Sequence, residues 1–179
     1  MKLKIERSNL FIALGHVQNA VERRNTIPIL SNVLLVAEEN TLLLTATDLD
    51  LSVVEKTTAE VSTAGATTTS AHLLYDIVRK LPDGAQIELK KSSDKGRITL
   101  TSGRSSFTLP SLPREDFPIM AAQELPHEFA LESQELRHLV DKTRFAISTE
   151  ETRYYLNGIY LHAAESSDTK VLRAVATDG

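Results

Sequence analysis

Two periodicities alternate along the chain, and their order sets the expected elements. Residues 1–6 place Leu3 and Ile5 on one face between polar neighbours, the period-two pattern of a half-buried strand. Residues 8–21 switch to helical spacing, with Leu10, Leu14, Val17 and Val21 in one stripe, Ala13 and Ala20 beside it, and Ser8 where an N-cap belongs. Thr26-Ile27-Pro28 breaks that pattern. Strands are predicted from Leu30 to Val36 and from Thr41 to Thr45 around a turn at Glu38-Glu39-Asn40, and Leu49 to Val54 and Ala59 to Ser62 are expected to continue the same sheet. A second cycle follows. Thr67 to Thr69 reads as a short strand; Leu73, Leu74, Ile77, Val78 and Leu81 make a helical stripe that Pro82-Asp83-Gly84 ends; strands are predicted at Ile87 to Lys90, Arg97 to Ser102 and Ser106 to Leu109. A Pro-rich segment, Pro110 to Pro118, then leads to a linker.

An internal repeat organises these cycles. Shifted by 126 residues, Leu3, Ile5 and Glu6 meet Phe129, Leu131 and Glu132, and Leu10 and Leu14 meet Leu136 and Val140. Leu30-Ser31-Asn32-Val33-Leu34-Leu35 meets Leu156-Asn157-Gly158-Ile159-Tyr160-Leu161. An insertion near Ser166 to Lys170 changes the shift to 130, and Ala46-Thr47-Asp48 meets Ala176-Thr177-Asp178. The pattern predicts an α+β fold: repeated domains of two helices packed on antiparallel sheets. The first copy spans 1–120, a linker 121–127, and the first part of a second copy 128–179. A half-built sheet leaves unpaired backbone along its edge, so the chain reads as shorter than its natural length.

Composition excludes several chemistries. With no cysteine among 179 residues, disulfides, thiol catalysis and cysteine-ligated metals are out, which fits a reducing cytoplasm. The polar–apolar alternation of Met1 to Glu6 has no apolar core of a secretory signal, and no apolar run approaches the roughly 20 residues of a membrane span. Aromatics make up 5% and tryptophan is absent, which argues against a single-strand binder built on base stacking. Asp48-Leu49-Asp50 is a DxD that could hold a metal in a nucleotide-sugar transferase, but it is short, it sits in an apolar run, and only Asp48 recurs in the second copy. That favours a structural role at a strand end. His16, His72, His127, His138 and His162 show no metal-ligand spacing. Ser102-Gly103-Arg104-Ser105-Ser106 lacks the lysine of a phosphate cradle. No catalytic set, metal site or cofactor site is expected.

Several segments together resemble the β subunit of bacterial DNA polymerase III, the processivity clamp. They are Thr26-x-Pro28-Ile29-Leu30-x-Asn32, Leu44-x-x-Thr47-Asp48-Leu49, Ser102-Gly103-Arg104-Ser105-x-Phe107, Leu112-Pro113-x-x-Asp116-Phe117-Pro118, Arg153-Tyr154-Tyr155-Leu156-Asn157-Gly158 and Ala176-Thr177-Asp178-Gly179. The resemblance covers the whole chain. It implies the DNA-clamp fold, with three domains per subunit and a head-to-tail homodimeric ring lined by helices. The implied function is a non-enzymatic cytoplasmic tether that encircles double-stranded DNA and holds the replicative polymerase, with the polymerase and clamp-loader subunits docking by peptides. It implies DNA contact at Arg24, His72, Glu150, Tyr154 and Tyr155. The basic helices add Arg79, Arg137 and Arg144. It implies a dimer edge at Ile77, Arg104, Phe107 and Leu109, and a partner-peptide pocket to which Leu156, Thr177 and Gly179 contribute. Two positions depart from expectation: an imidazole is a weaker phosphate ligand than a guanidinium, and a carboxylate at Glu150 repels phosphate unless Arg153 beside it compensates.

Net charge is −4, unusual for a DNA partner. The segments Arg7–Arg24, Ala71–Leu81 and Leu136–Ser148 together carry +5, however, so the remainder carries −9. A basic lining with an acidic exterior attracts phosphate inside and discourages it outside. Two other readings stay open on sequence: a repeat scaffold that binds only proteins, and the DxD transferase. For a chain of these residues alone, no closed ring is expected.

Overall fold

A computed structural model describes residues 1–21, 26–91, 96–119, 129–166 and 169–179. They fall into two compact units, one within Met1–Ala122 and one within Gln123–Gly179. The linker predicted at 121–127 lies outside the described residues.

In the first unit β1 (Lys2–Glu6) leads directly into α1 (Arg7–Val17) and a 3₁₀ turn at Gln18–Ala20. The helix starts at Arg7, two residues before the start that a Ser8 N-cap would set. Ser8 is not the cap: its hydroxyl donates to Glu6 Oε1 at 2.9 Å, and Glu6 holds the N-cap position. After a 3₁₀ turn at Pro28–Ser31, β2 (Asn32–Glu38), β3 (Thr41–Thr47) and β4 (Ser52–Thr58) form a meander, and β6 (Gly65–Ser70) pairs with the other side of β2. This four-stranded sheet runs β4-β3-β2-β6. The strand predicted at Leu49 to Val54 begins only at Ser52, because Asp48–Leu51 is a turn.

The segment near Ala59 to Ser62 does not continue that sheet. As β5 (Glu60–Thr63) it pairs with β1 in a second, five-stranded sheet, order β5-β1-β7-β8-β9, with β7 (Gln86–Lys91), β8 (Arg97–Ser102) and β9 (Ser105–Pro110). Both sheets are antiparallel. Between β6 and β7 runs α2 (Ala71–Lys80), whose first turn is capped by the Ser70 hydroxyl accepting from Leu73 N–H.

One core joins these parts. Leu3 and Ile5 of β1, Leu10 and Leu14 of α1, Leu35 of β2, Leu42 and Leu44 of β3, Leu74 and Val78 of α2, and Ile87 and Leu89 of β7 are all buried in it. β2 is buried on both faces, since Leu34 packs outward onto Phe117 from the segment after β9. That double burial explains its unbroken apolar run.

In the second unit α3 (Ser133–Thr143) is followed by 3₁₀ turns at Arg144–Ala146 and Glu151–Leu156 and by the hairpin β10 (Tyr160–Ser166) and β11 (Thr169–Val175). Shifting α1 and its 3₁₀ turn by 126 residues lands on α3 and its turn, residue for residue. The hairpins agree as well: Leu34 pairs with Thr45, and Tyr160, 126 residues on, pairs with Val175, 130 residues on. Among the described residues no strand matches β1: Phe129 to Glu132 forms no ladder.

Candidate nucleic-acid interface and partner surfaces

Charge on the helices is partly consumed inside the first unit. Arg7, counted above with the basic lining, is only 14% exposed at its side chain. Its Nε donates to the Val78 carbonyl at 3.1 Å and Nη2 to the Arg79 carbonyl at 2.9 Å, and Nη1 meets Asp83 at 2.9 Å. These are acceptors at the α2 C-terminus, which an α-helix cannot satisfy by itself. The guanidinium also lies 4.5 Å above the Phe11 ring, which stacks on Tyr75 at 5.1 Å. Arg7 is a structural clamp between the helices and is lost from the phosphate-binding count.

His72 is also committed. Half-buried in the first turn of α2, its Nε2 donates to the Val21 carbonyl at 2.9 Å, which places the ring proton on that nitrogen. Its Nδ1 is buried without a partner among the described residues. The imidazole thus faces a main-chain acceptor, not an incoming phosphate. Arg79 is exposed on the last turn of α2, with Nη2 3.1 Å from Asp76. Arg24 lies outside the described residues.

In the second unit the predicted contacts are at the surface. Arg137 and Arg144 share one carboxylate, with their Nε atoms 3.5 and 3.4 Å from Asp141. Two guanidiniums on one aspartate leave net positive charge. Glu150 is compensated: its carboxylate lies 3.1 Å from Arg153 Nε. Tyr154 and Tyr155 occupy the 3₁₀ turn Glu151–Leu156, 78% and 70% exposed, with rings edge to face at 5.8 Å.

The predicted dimer edge lies on β9, the outermost strand of the five-stranded sheet. Gly103 with φ 55° opens the two-residue turn before it and holds Arg104 exposed at the tip. Beside β9, a cavity of about 470 Å³ is lined by Leu73, Ile77, Leu81 and Phe107, with Asp76 and Lys80 at its polar margin. Leu109 does not share this surface through its side chain. It is 1% exposed and belongs to the core, so only its main chain faces the edge.

Of the partner-pocket residues, Leu156 is half-buried, and Thr177 Oγ1 accepts the Gly179 N–H at 3.2 Å. The repeat reaches this detail. Thr47 Oγ1 accepts the Leu49 N–H at 3.0 Å, and the residue after Thr-Asp has positive φ in both copies, 85° at Leu49 and 115° at Gly179. Asp48 Oδ1 accepts N–H from Asp50 at 3.0 Å and from Leu51 at 2.7 Å. The DxD carboxylate therefore closes a turn. Among the described residues no cluster of three or more histidine, aspartate or glutamate side chains could hold a metal, and no helix is long and apolar enough to cross a membrane.

Comparison with known proteins decides among the readings. The family model for the DNA polymerase III beta subunit, N-terminal domain, matches residues 1–121, and that for its central domain matches residues 130–179.

The chain belongs to the DNA polymerase III β-subunit family.

Within that family, the chain is 56% identical over its full length to the beta sliding clamp of Caulobacter vibrioides (strain NA1000 / CB15N) and 42% identical to that of Vibrio cholerae. It spans about half the length of these curated relatives, 48% of each. A crystal structure of the C. crescentus beta sliding clamp superposes with a TM-score of 0.96 over 100% of this chain and 48% of that one, at 56% identity. The sliding clamp of Bartonella birtlesii bound to griselimycin superposes with a TM-score of 0.87 at 52% identity, over 99% of this chain and 47% of that one. The α+β reading and the β-subunit resemblance are both borne out.

Sequence reasoning missed Arg7, which its position just before a helical stripe could not distinguish from a free surface charge. It also missed Asp141, whose spacing of four and three residues from Arg137 and Arg144 was the available signal.

Proposed function

We propose that this chain forms part of a ring that encircles duplex DNA in the cytoplasm and tethers the replicative polymerase without doing chemistry. Residues 1–120 act as the first clamp domain, 121–127 as a linker and 128–179 as the first part of the central domain. The observation that carries the reading is the second unit's surface. Two arginines share one aspartate, and two exposed tyrosines stand clear of any core. Such a set offers phosphate-level, sequence-blind contact suited to sliding.

Arg24, Arg79, Arg137, Arg144, Tyr154 and Tyr155 make the DNA contacts in this proposal. His72, turned onto Val21, and Glu150, paired with Arg153, have their polar groups engaged within the protein. The β9 edge, with Ile77, Arg104 and Phe107, meets a second subunit by adding strand to strand. Leu156, Thr177 and Gly179 supply one side of a pocket for peptides of the polymerase and the clamp loader.

The test uses the full-length protein, loaded by its clamp loader onto nicked circular plasmid and onto the same plasmid linearised. Retention through gel filtration is expected on the circle and rapid loss from free ends. Equal retention on both would sink the ring reading.

A further inference from the structure

Arg153 stands between the two second-unit segments that the proposed function assigns to DNA and to partner peptides. Its Nε lies 3.1 Å from Glu150 Oε2, and its Nη1 donates to the Asp178 carbonyl at 3.1 Å. Glu150 caps the turn that carries Tyr154 and Tyr155, and Asp178 belongs to the Thr177–Gly179 turn after β11. A guanidinium is a rigid plane with donors on separate edges, so one arginine can hold two partners in a fixed relation. The backbone makes room for it. A Cβ built on Gly179 would sit 2.8 Å from Arg153 Nη1 and would displace the guanidinium end from its place, and φ of 115° at that position favours glycine. At the corresponding places of the first unit stand Leu49 for Gly179 and Ile27 for Arg153, so the residue types of the bridge are not repeated there, while the threonine hydrogen bond of the turn is.

We propose that Arg153 is a positioning residue that ties the Tyr154–Tyr155 turn to the Thr177–Gly179 turn, so that duplex DNA on the first turn is felt at the second. The inference rests on the proposed DNA contact at the tyrosines. The Gly179 amide, held by Thr177 Oγ1 at 3.2 Å, is the reporter.

Hydrogen exchange of this amide is measured in the full-length protein, free and loaded on nicked circular duplex, at matched duplex occupancy. A change of about two- to fivefold on loading is expected, the size that one exposed bridge supports. Arg153→Lys keeps the charge but has a single nitrogen and cannot span both partners; Arg153→Met removes the charge as well. With Arg153 about half exposed, both variants are expected to fold. Loss of the DNA-dependent change in both supports the bridge. An unchanged response in Arg153→Lys and Arg153→Met, or no response in the loaded wild type, overturns it. Failure of the wild type to be retained on circular duplex at all would instead bring down the DNA reading beneath it.

Discussion

A single side chain shows how far a charge count can mislead. Arg7 adds one positive charge to the first helix on paper, yet its guanidinium is spent on the Val78 and Arg79 carbonyls and on Asp83. The two carbonyl contacts matter more than the ion pair, because Asp83 is 95% exposed and a surface pair contributes little. Arg7→Ala leaves helix-end carbonyls half-buried and unpaired, so a loss of about 2–3 kcal/mol is expected in urea unfolding of the first unit. Asp83→Ala should cost less than about 0.5 kcal/mol. Equal losses in the two variants would mean that the ion pair, not the carbonyl clamp, holds α2. The sequence could not show this role, because a residue seventy-odd positions away supplies the acceptors. Its repeat counterpart is Ser133, which is too short to do the same. Asp48, by contrast, was legible: its place at a strand end and its recurrence in Ala176-Thr177-Asp178 pointed to backbone geometry over metal chemistry, and its carboxylate closes the turn.

Elements were read well where the hydrophobic period was long, and poorly where the choice lay between two sheets. α1, α2, β7, β8 and β9 fall within a few residues of their predicted spans. β5 was placed in the wrong sheet because a period-two pattern states which face is buried but not which neighbour a strand takes. β6 reads as a weak, polar strand, Thr67-Thr68-Thr69, yet all three threonines are buried. Their hydroxyls form a seam to the last residue of β9 and the segment after it. Thr69 donates to the Pro110 carbonyl at 2.9 Å, Thr67 meets the Ser111 hydroxyl at 2.7 Å, and Thr68 donates to the Leu112 carbonyl at 2.8 Å. Thr68 Oγ1 also accepts from Asn32 Nδ2 at 3.0 Å and from the Leu112 N–H at 3.1 Å. Thr68→Val keeps the shape and removes the three bonds of the Thr68 hydroxyl. It should cost about 2–4 kcal/mol, since buried polar groups on both sides are left unpaired. Thr68→Ser, which keeps the hydroxyl, should cost clearly less in the same denaturation measurement.

For the whole molecule, the charge split is the property that a measurement can reach. Each arginine that meets a phosphate adds roughly 0.9 to the slope of log affinity against log salt. Removing Arg137 and Arg144 together from the full-length protein should flatten the slope for a short duplex by about two, uniformly across sequences. Tyr154→Ala should weaken retention with no change in slope. Asp141→Asn, which frees both arginines, should strengthen retention at low salt and lose the advantage as salt rises. An unaltered slope in the double variant would remove both arginines from the contact.

The apolar stripe of the second copy has one more consequence. Leu10 and Leu14 are sealed on α1, but at the matching places on α3 Leu136 is 42% and Val140 36% exposed. A helix docked on one side only opens at little cost, and cleavage by a protease tracks how often a segment opens. Arg137, Lys142 and Arg144 sit on and just after that helix and are trypsin sites. Limited digestion of these 179 residues should therefore cut at Arg137, Lys142 and Arg144 before it cuts at Arg79 and Lys80 of α2, whose buried face is sealed by Leu74 and Val78.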